Sequence, residues 1–292
     1  MLVTMTLSTK KPCYVEMNRD FVRVHGEDAT SFLQGLITND ITRVTESDSI
    51  YAALLTPQGR YLHDFLVHQW EGGYLLEGEK GRMADLKKRL GLYKLRANVK
   101  LETMSDLHVY CIFNVIQQPS FDGVLVVRDP RLKEAGVRVI SARPMTKEFD
   151  DAEILPLSSD DFEEYRLALG LPDGERDMVL EKGVLLECGF DELKGIDFDK
   201  GCYLGQELNV RTKFRGKVRK RLLPLVLRQG HMPEYGSEIT MADKKIGTLR
   251  TARLHNALGM VRIEGLTKVD FPVEVKVGDA VMELRCPDWV KL

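Results

Sequence analysis

The chain has 292 residues, 43% hydrophobic and 29% charged, the make-up of a globular protein of two or three domains rather than a disordered or membrane one. Forty-two Lys and Arg face 44 Asp and Glu, a net charge of -2, so no global field recruits nucleic acid or an acidic membrane and any anion binding has to be local. No apolar stretch is long enough to cross a bilayer, and a membrane partner is not expected.

The opening MLVTMTLSTKKPC has no long apolar run ending in small residues; its Ser, Thr and Lys suggest a mitochondrial presequence only faintly, since Arg is absent, and a cytoplasmic location is expected. Phe21 to Val24 reads as a strand, followed by a turn at Gly26 and a helix capped by Asp28 or Thr30. That helix carries Phe32, Leu33, Leu36 and Ile37 on one face, and Thr38-Asn39-Asp40 closes it. From about Asp48 to Ser141 the pattern is mostly β: Ile50 to Leu55, Tyr61 to Gln69, Tyr74 to Glu77, Val99 to Thr103, Val109 to Asn114, Val124 to Arg128 and Val137 to Ile140. Pro57-Gln58-Gly59 makes a hairpin turn between the first two. One helix interrupts the run, with Met83, Leu86 and Leu90 on its buried side and Gly91 placed to end it. A sheet covered by one or two helices fits this stretch.

Ser158-Ser159-Asp160 caps a further helix bearing Phe162, Tyr165, Leu167 and Leu169, stopped at Gly170-Leu171-Pro172. A loop-rich stretch runs to Lys200. After Leu222 short strands separated by turns, including Ile246 to Leu254, Met260 to Ile263, Val273 to Val277 and Val281 to Leu284, suggest a small closed barrel. Pattern changes put domain boundaries near residues 47, 142 and 223.

The five cysteines, at 13, 111, 188, 202 and 286, are scattered with no C-x-x-C pair, so reduced thiols are expected. The densest chemical candidate is Asp197 to Glu207, with Cys202 expected in the first turn of a helix beside Lys200. Helix amides and an ammonium both favour thiolate, giving a nucleophile or sulfur ligand; the alternative is a buried cysteine acting as a small hydrophobe. From Leu208 to Pro233 there is no acidic residue, and Arg211, Lys213, Arg215, Lys217 and Arg219 alternate as on one face of a strand. That face is either simply solvated or a site for phosphate, a polyglutamate tail or RNA; with only Phe214 for stacking, nucleic acid is not expected as a direct partner. Asp64, sharing a strand face with Leu62 and Leu66, and Glu187 in Leu185 to Gly189 are carboxylates on apolar backgrounds. Either the protein or a bound heterocycle satisfies them. The six histidines lack ligand spacing, so no metal site is expected, and no phosphate-binding or dinucleotide glycine motif occurs.

Lys200-Gly201-Cys202-Tyr203-Leu204-Gly205-Gln206-Glu207 resembles the signature of the YgfZ family, folate-binding relatives of the glycine-cleavage T-protein (aminomethyltransferase). Leu33 to Asp40, Pro57 to Arg60, Arg166 with Gly170 to Pro172, and Gly247 to Leu249 resemble the same family in the same order. The resemblance implies an α+β fold, a three-domain cloverleaf around a hole that holds tetrahydrofolate or a one-carbon-substituted folate. A first domain of residues 1–47 and 142–222 is split by a β-rich α+β domain of 48–141, and 223–292 forms a small β-barrel. It implies catalytic chemistry at Cys202, Asp64 near the reactive folate nitrogens, Glu187 on the pterin edge, Tyr203 among the folate contacts, and Arg211 and Lys213 meeting the glutamate tail.

The implied function is a monomeric accessory factor that supports assembly or repair of iron–sulfur enzymes, some of them tRNA-modifying, in the cytoplasm or, in a eukaryote, the mitochondrial matrix. Its partners are then iron–sulfur client or assembly proteins, and one thiol supplies too few ligands to hold a cluster alone. The alternative is a tetrahydrofolate-dependent aminomethyl transferase centred on Asp64; T-proteins lack the K-G-C-x-x-G-Q-E segment, which disfavours it.

Overall fold

A computed structural model describes residues 11–266 and 269–292, so the stretch read for a targeting signal lies outside the described residues up to Lys10. The chain forms two compact units, residues 11–157 with 193–207 and residues 158–192 with 208–292.

The first unit opens with β1 (Cys13–Glu16), β2 (Arg19–His25) and α1 (Ala29–Gln34), and continues through β3 (Ile50–Leu55), β4 (Tyr61–Trp70), β5 (Gly73–Glu79) and α2 (Met83–Lys94). It is completed by β6 (Lys100–Met104), β7 (His108–Phe113), β8 (Leu125–Arg128), β9 (Val137–Ser141), α3 (Thr146–Asp151) and β10 (Leu155–Pro156). The expected strands between Ile50 and Ile140 are all present. They build two five-stranded sheets rather than one, in the orders β3-β4-β5-β2-β6 and β10-β1-β7-β9-β8. The reason is that β1 and β2, adjacent in the chain, take interior places in different sheets: β1 pairs with β7 and β10, β2 with β5 and β6.

Two helix limits differ from the sequence reading. Helix α1 stops at Gln34, and Ile37 beyond it bridges Leu54; Asp28 does not cap it but accepts the Asn98 amide at 2.7 Å. Helix α2 runs through Gly91, because one helical glycine costs only about 1 kcal/mol against alanine while Met83, Leu86 and Leu90 are buried along the same helix. It ends instead at Leu95, whose φ of 43° and ψ of -108° are unusual for a bulky side chain. Such backbone costs on the order of 1–3 kcal/mol.

Phe21 and Leu75 of one sheet pack on Val109 and Ile140 of the other. Beside this apolar layer lies a buried ion network. Arg138 on β9 meets Glu77 on β5 at 3.3 Å and Asp129 at 3.1 Å; Glu77 also meets His68 at 3.2 Å, and Asp129 pairs with Arg131 at 2.8 Å. Burial alone would raise both carboxyls, but Arg138 beside Glu77 and Arg131 beside Asp129 pull each down to about 2.

The second unit contains α4 (Ser159–Leu169), α5 (Gly174–Asp177), most of α6 (Gln206–Phe214), and six strands: β11 (Lys220–Gln229), β12 (Glu238–Met241), β13 (Lys244–Ala252), β14 (Asn256–Arg262), β15 (Val273–Val277) and β16 (Ala280–Leu284). The strands close into the expected barrel, with β16 returning to β11. Leu223, Leu225, Ile239, Leu249, Val275 and Met282 are in its core. The Ser158 hydroxyl accepts the Asp161 amide and caps α4 as expected. Glu164 on that helix accepts the amides of His255 and Asn256, so α4 holds the β13–β14 turn. Arg166, one of the family-like positions, is a structural tie: it is buried and bonds Glu163, Asp177 and the Leu171 carbonyl, fastening the end of α4 to the loop after it.

Candidate functional site

Residues 193–207 return to the first unit and dock onto its loops. The Thr38 hydroxyl donates to the Gly195 carbonyl at 2.6 Å, and the Asp197 amide donates to the Thr38 carbonyl at 3.0 Å. The Asn39 amide nitrogen donates to the carbonyls of Lys194 and Tyr51. Lys200 drives its ammonium into the same loop, donating to the carbonyls of Ile37 and Asn39, each at 2.7 Å. The Leu204 amide donates to the Gly35 carbonyl at 3.0 Å. Gly205 closes on the β3–β4 hairpin: with a φ of 77°, a β-carbon there would sit 2.4 Å from the Thr56 carbonyl oxygen and 3.0 Å from the Gly59 α-carbon. Three family-like pieces far apart in sequence, Leu33 to Asp40, Pro57 to Arg60 and Lys200 to Glu207, therefore meet in one place.

Cys202 is an exposed free thiol in this segment. The expected position in a first helical turn is corrected: regular helix begins only at Gln206, and Cys202 lies in the irregular stretch before it. What fixes it is the pair of anchors around it, Lys200 on one side and Gly205 on the other. Gly201 adopts a φ of 95° with nothing within 4 Å of where its β-carbon would be. Tyr203 is buried, and the Lys200 ammonium lies 5.3 Å from its ring centroid. Burial, partly offset by Asp40 and Asp197, brings Lys200 down from 10.5 to about 8. The reading of a buried, inert cysteine fits Cys111 instead, whose thiol burial pushes up to about 12.

Asp64 sits on β4 opposite Ala53 of β3. Its two carboxylate oxygens each accept a tyrosine hydroxyl, Oδ2 from Tyr51 and Oδ1 from Tyr61, both at 2.8 Å. Arg82 donates to the Tyr61 hydroxyl at 3.2 Å, and the Arg131 guanidinium lies 5.3 Å from the Tyr51 ring centroid. Burial first, and the Asp64 charge second, raise both phenols well above their ordinary value, so they stay protonated and keep donating. Through Tyr51 and Arg131, Asp64 is joined to the ion network between the sheets. Sequence reasoning found Asp64 and missed these tyrosines. The signal for them was the hairpin register, which puts Tyr51 two positions from the residue opposite Asp64. His63, on the other face, bonds Asp85 at 2.8 Å; burial pulls it down to about 4, so it is neutral.

Glu187, Arg211 and Lys213 belong to the second unit. Glu187 is half-buried on a 3-10 turn, Leu185–Cys188, between buried Leu186 and Cys188. The alternating cationic strand is corrected: residues through Phe214 are helical in α6, so the side chains of Arg211 and Lys213 do not line up on a sheet face. Helix wins because the period-2 signal came from charges alone, with no alternating buried partners. Arg211 is exposed, whereas Lys213 bonds Asp191 at 2.9 Å. Gln206 and Glu207 form the first turn of α6, Glu207 exposed. Among the described residues no three His, Cys, Asp or Glu side chains gather to hold a metal, and no helix is long and apolar enough to cross a membrane.

Residues 219–292 match the family described as the CAF17 C-terminal beta-barrel domain. The chain is 35% identical over 243 residues to the mitochondrial iron-sulfur cluster assembly factor IBA57 homolog of Neurospora crassa, covering 74% of this chain and 54% of that protein, so it spans about half of that relative's length. It is 29% identical over 313 residues to the mitochondrial IBA57 of Mus musculus, covering 95% of this chain and 85% of that one. Its fold matches the glycine cleavage system aminomethyltransferase T of Bartonella henselae with a TM-score of 0.76 at 13% identity, over 96% of this chain and 86% of that chain. The chain is thus similar in sequence to the IBA57 iron–sulfur cluster assembly factors, has an aminomethyltransferase-like fold, and ends in a barrel that matches the CAF17 C-terminal domain.

Proposed function

We propose that this protein is a YgfZ-type accessory factor for iron–sulfur proteins that binds a reduced folate and acts through the thiol of Cys202. The observation that carries the reading is the exposed Cys202, held between the Lys200 and Gly205 anchors in a segment that resembles the family signature. The names of the relatives, iron–sulfur cluster assembly factors, support the functional class. As a single ligand, the thiol contacts a cluster whose other ligands come from a client or assembly protein. Tetrahydrofolate or a one-carbon-substituted folate is the small-molecule partner, with Asp64 and Tyr203 of the first unit among its contacts. The protein acts as a monomer in the mitochondrial matrix, in keeping with the word mitochondrial in the names of its relatives, and tRNA-modifying iron–sulfur enzymes are among its clients. Cys202→Ser tests the thiol: folding and tetrahydrofolate affinity stay near wild type while rescue of iron–sulfur enzyme activity in deficient cells is lost, and full rescue refutes the reading.

A second reading, one-carbon transfer, is favoured by the aminomethyltransferase-like fold and by the tyrosine-held Asp64. Incubation with an aminomethyl-loaded lipoyl carrier and tetrahydrofolate decides it, since absence of methylene-tetrahydrofolate rules it out.

A further inference from the structure

The C-terminal end of α2 carries a feature that neither the folate nor the thiol reading uses. Leu92, Tyr93 and Leu95 crowd large apolar surface into four positions at 69%, 37% and 89% exposure. Leu92 shares the outer face of the helix with exposed Lys88, four residues before it, away from buried Met83, Leu86 and Leu90. Leu95, just past the helix, is held outward on left-handed backbone that a leucine rarely adopts, so local strain maintains an exposed hydrophobe instead of relieving it. Between Leu86 and Lys100 the chain has Lys87, Lys88, Arg89, Lys94, Arg96 and Lys100 and no acidic residue. The carboxylates close by are already engaged: Asp85 with His63 and Arg89, Glu27 and Asp28 with Asn98.

We propose that this apex is a peripheral docking site for an anionic lipid bilayer, with Leu92, Tyr93 and Leu95 entering the headgroup region and the surrounding lysines and arginines meeting lipid phosphates. Two observations select a bilayer over a protein. Lysine supplies most of the cationic rim, and lysine is depleted in protein interfaces but abundant on the polar side of membrane-adsorbing helices. The leucines also project from a helix end, which suits insertion into a fluid, flat surface. The chain's net charge of -2 is no obstacle, because the attraction acts within a Debye length of a locally basic patch.

The test is co-sedimentation of the full chain with phosphatidylcholine vesicles, with and without about 30% phosphatidylserine. Wild type is expected to bind the anionic vesicles at least about tenfold more tightly than the neutral ones, and about 0.5 M salt to weaken that binding. The Leu92→Ser/Leu95→Ser variant and the Lys88→Glu/Arg96→Glu variant, each shown folded by circular dichroism, are expected to lose at least about tenfold in affinity. No vesicle binding by wild type, or leucine variants that bind as well as wild type, overturns the proposal. Capture by heparin or by an acidic peptide without vesicle binding reassigns the patch to nucleic acid or protein and overturns it equally. The folate titration reads a different surface, so its failure and this one are separable.

Discussion

Gly205 rests its bare α-carbon against the carbonyl oxygen of Thr56, an approach that leaves no room for a side chain. Gly201, three residues upstream of Leu204 and also on left-handed backbone, faces open space. The two glycines of the signature thus answer to different constraints, backbone conformation at one and conformation plus contact at the other.

Gly205→Ala is therefore expected to destabilise the protein by about 2–4 kcal/mol, and Gly201→Ala by only about 1 kcal/mol, in urea unfolding. Equal effects would show that the close approach to Thr56 contributes nothing.

Thiol titration with an aromatic disulfide should show one fast cysteine, absent in Cys202→Ser. Cys13, Cys111 and Cys188 are buried and should react only on unfolding, with half-buried Cys286 between. Burial raises Cys13 and Cys286 as well as Cys111, which slows them further.

Glu77 and Asp129 drop to about 2 in the folded chain from ordinary values of 4.5 and 3.8. A depressed carboxyl stabilises the fold above its unfolded value and loses that contribution as pH falls through the folded one. The urea midpoint should accordingly fall between about pH 5 and pH 2. Arg138→Met removes the charge shared by both carboxylates; it should cost about 3–5 kcal/mol at neutral pH and move the acid limb upward.

Tyr51→Phe and Tyr61→Phe each remove one donor from Asp64, at a net cost of about 1 kcal/mol in stability. If Asp64 contacts folate, each should also weaken tetrahydrofolate binding about fivefold in calorimetric titration, and Asp64→Ala should abolish it. Unchanged affinity in all three variants would place folate elsewhere.

The strands and the barrel were legible because they obey local rules: alternation between Ile50 and Ile140, turn residues at Pro57 to Gly59, a Ser158 cap. The partition into two sheets was not, since it depends on β1 pairing with β7 and β2 with β6, far downstream in the chain, which no window of sequence records. Charge alternation misled at Arg211 and Lys213, where the contact with Asp191 rather than periodicity decides what one side chain does. Cys202 beside Lys200 was legible as a polar, glycine-flanked thiol in the sequence itself, and Gly205 entered with the family resemblance. Asp64 was read from its strand, but its tyrosine partners required the β3–β4 register.

The bonds from Thr38 to Gly195 and from Lys200 to Ile37 span 157 and 163 residues. A chain emerging from the ribosome makes the loop of Thr38 and Asn39 early, but its hydrogen-bond partners arrive only after both sheets and α4 have been synthesised. The cysteine-bearing segment is consequently the latch of the first unit, closed late in synthesis, and nascent chains halted before residue 193 should expose that loop to proteases even where their strands have already paired.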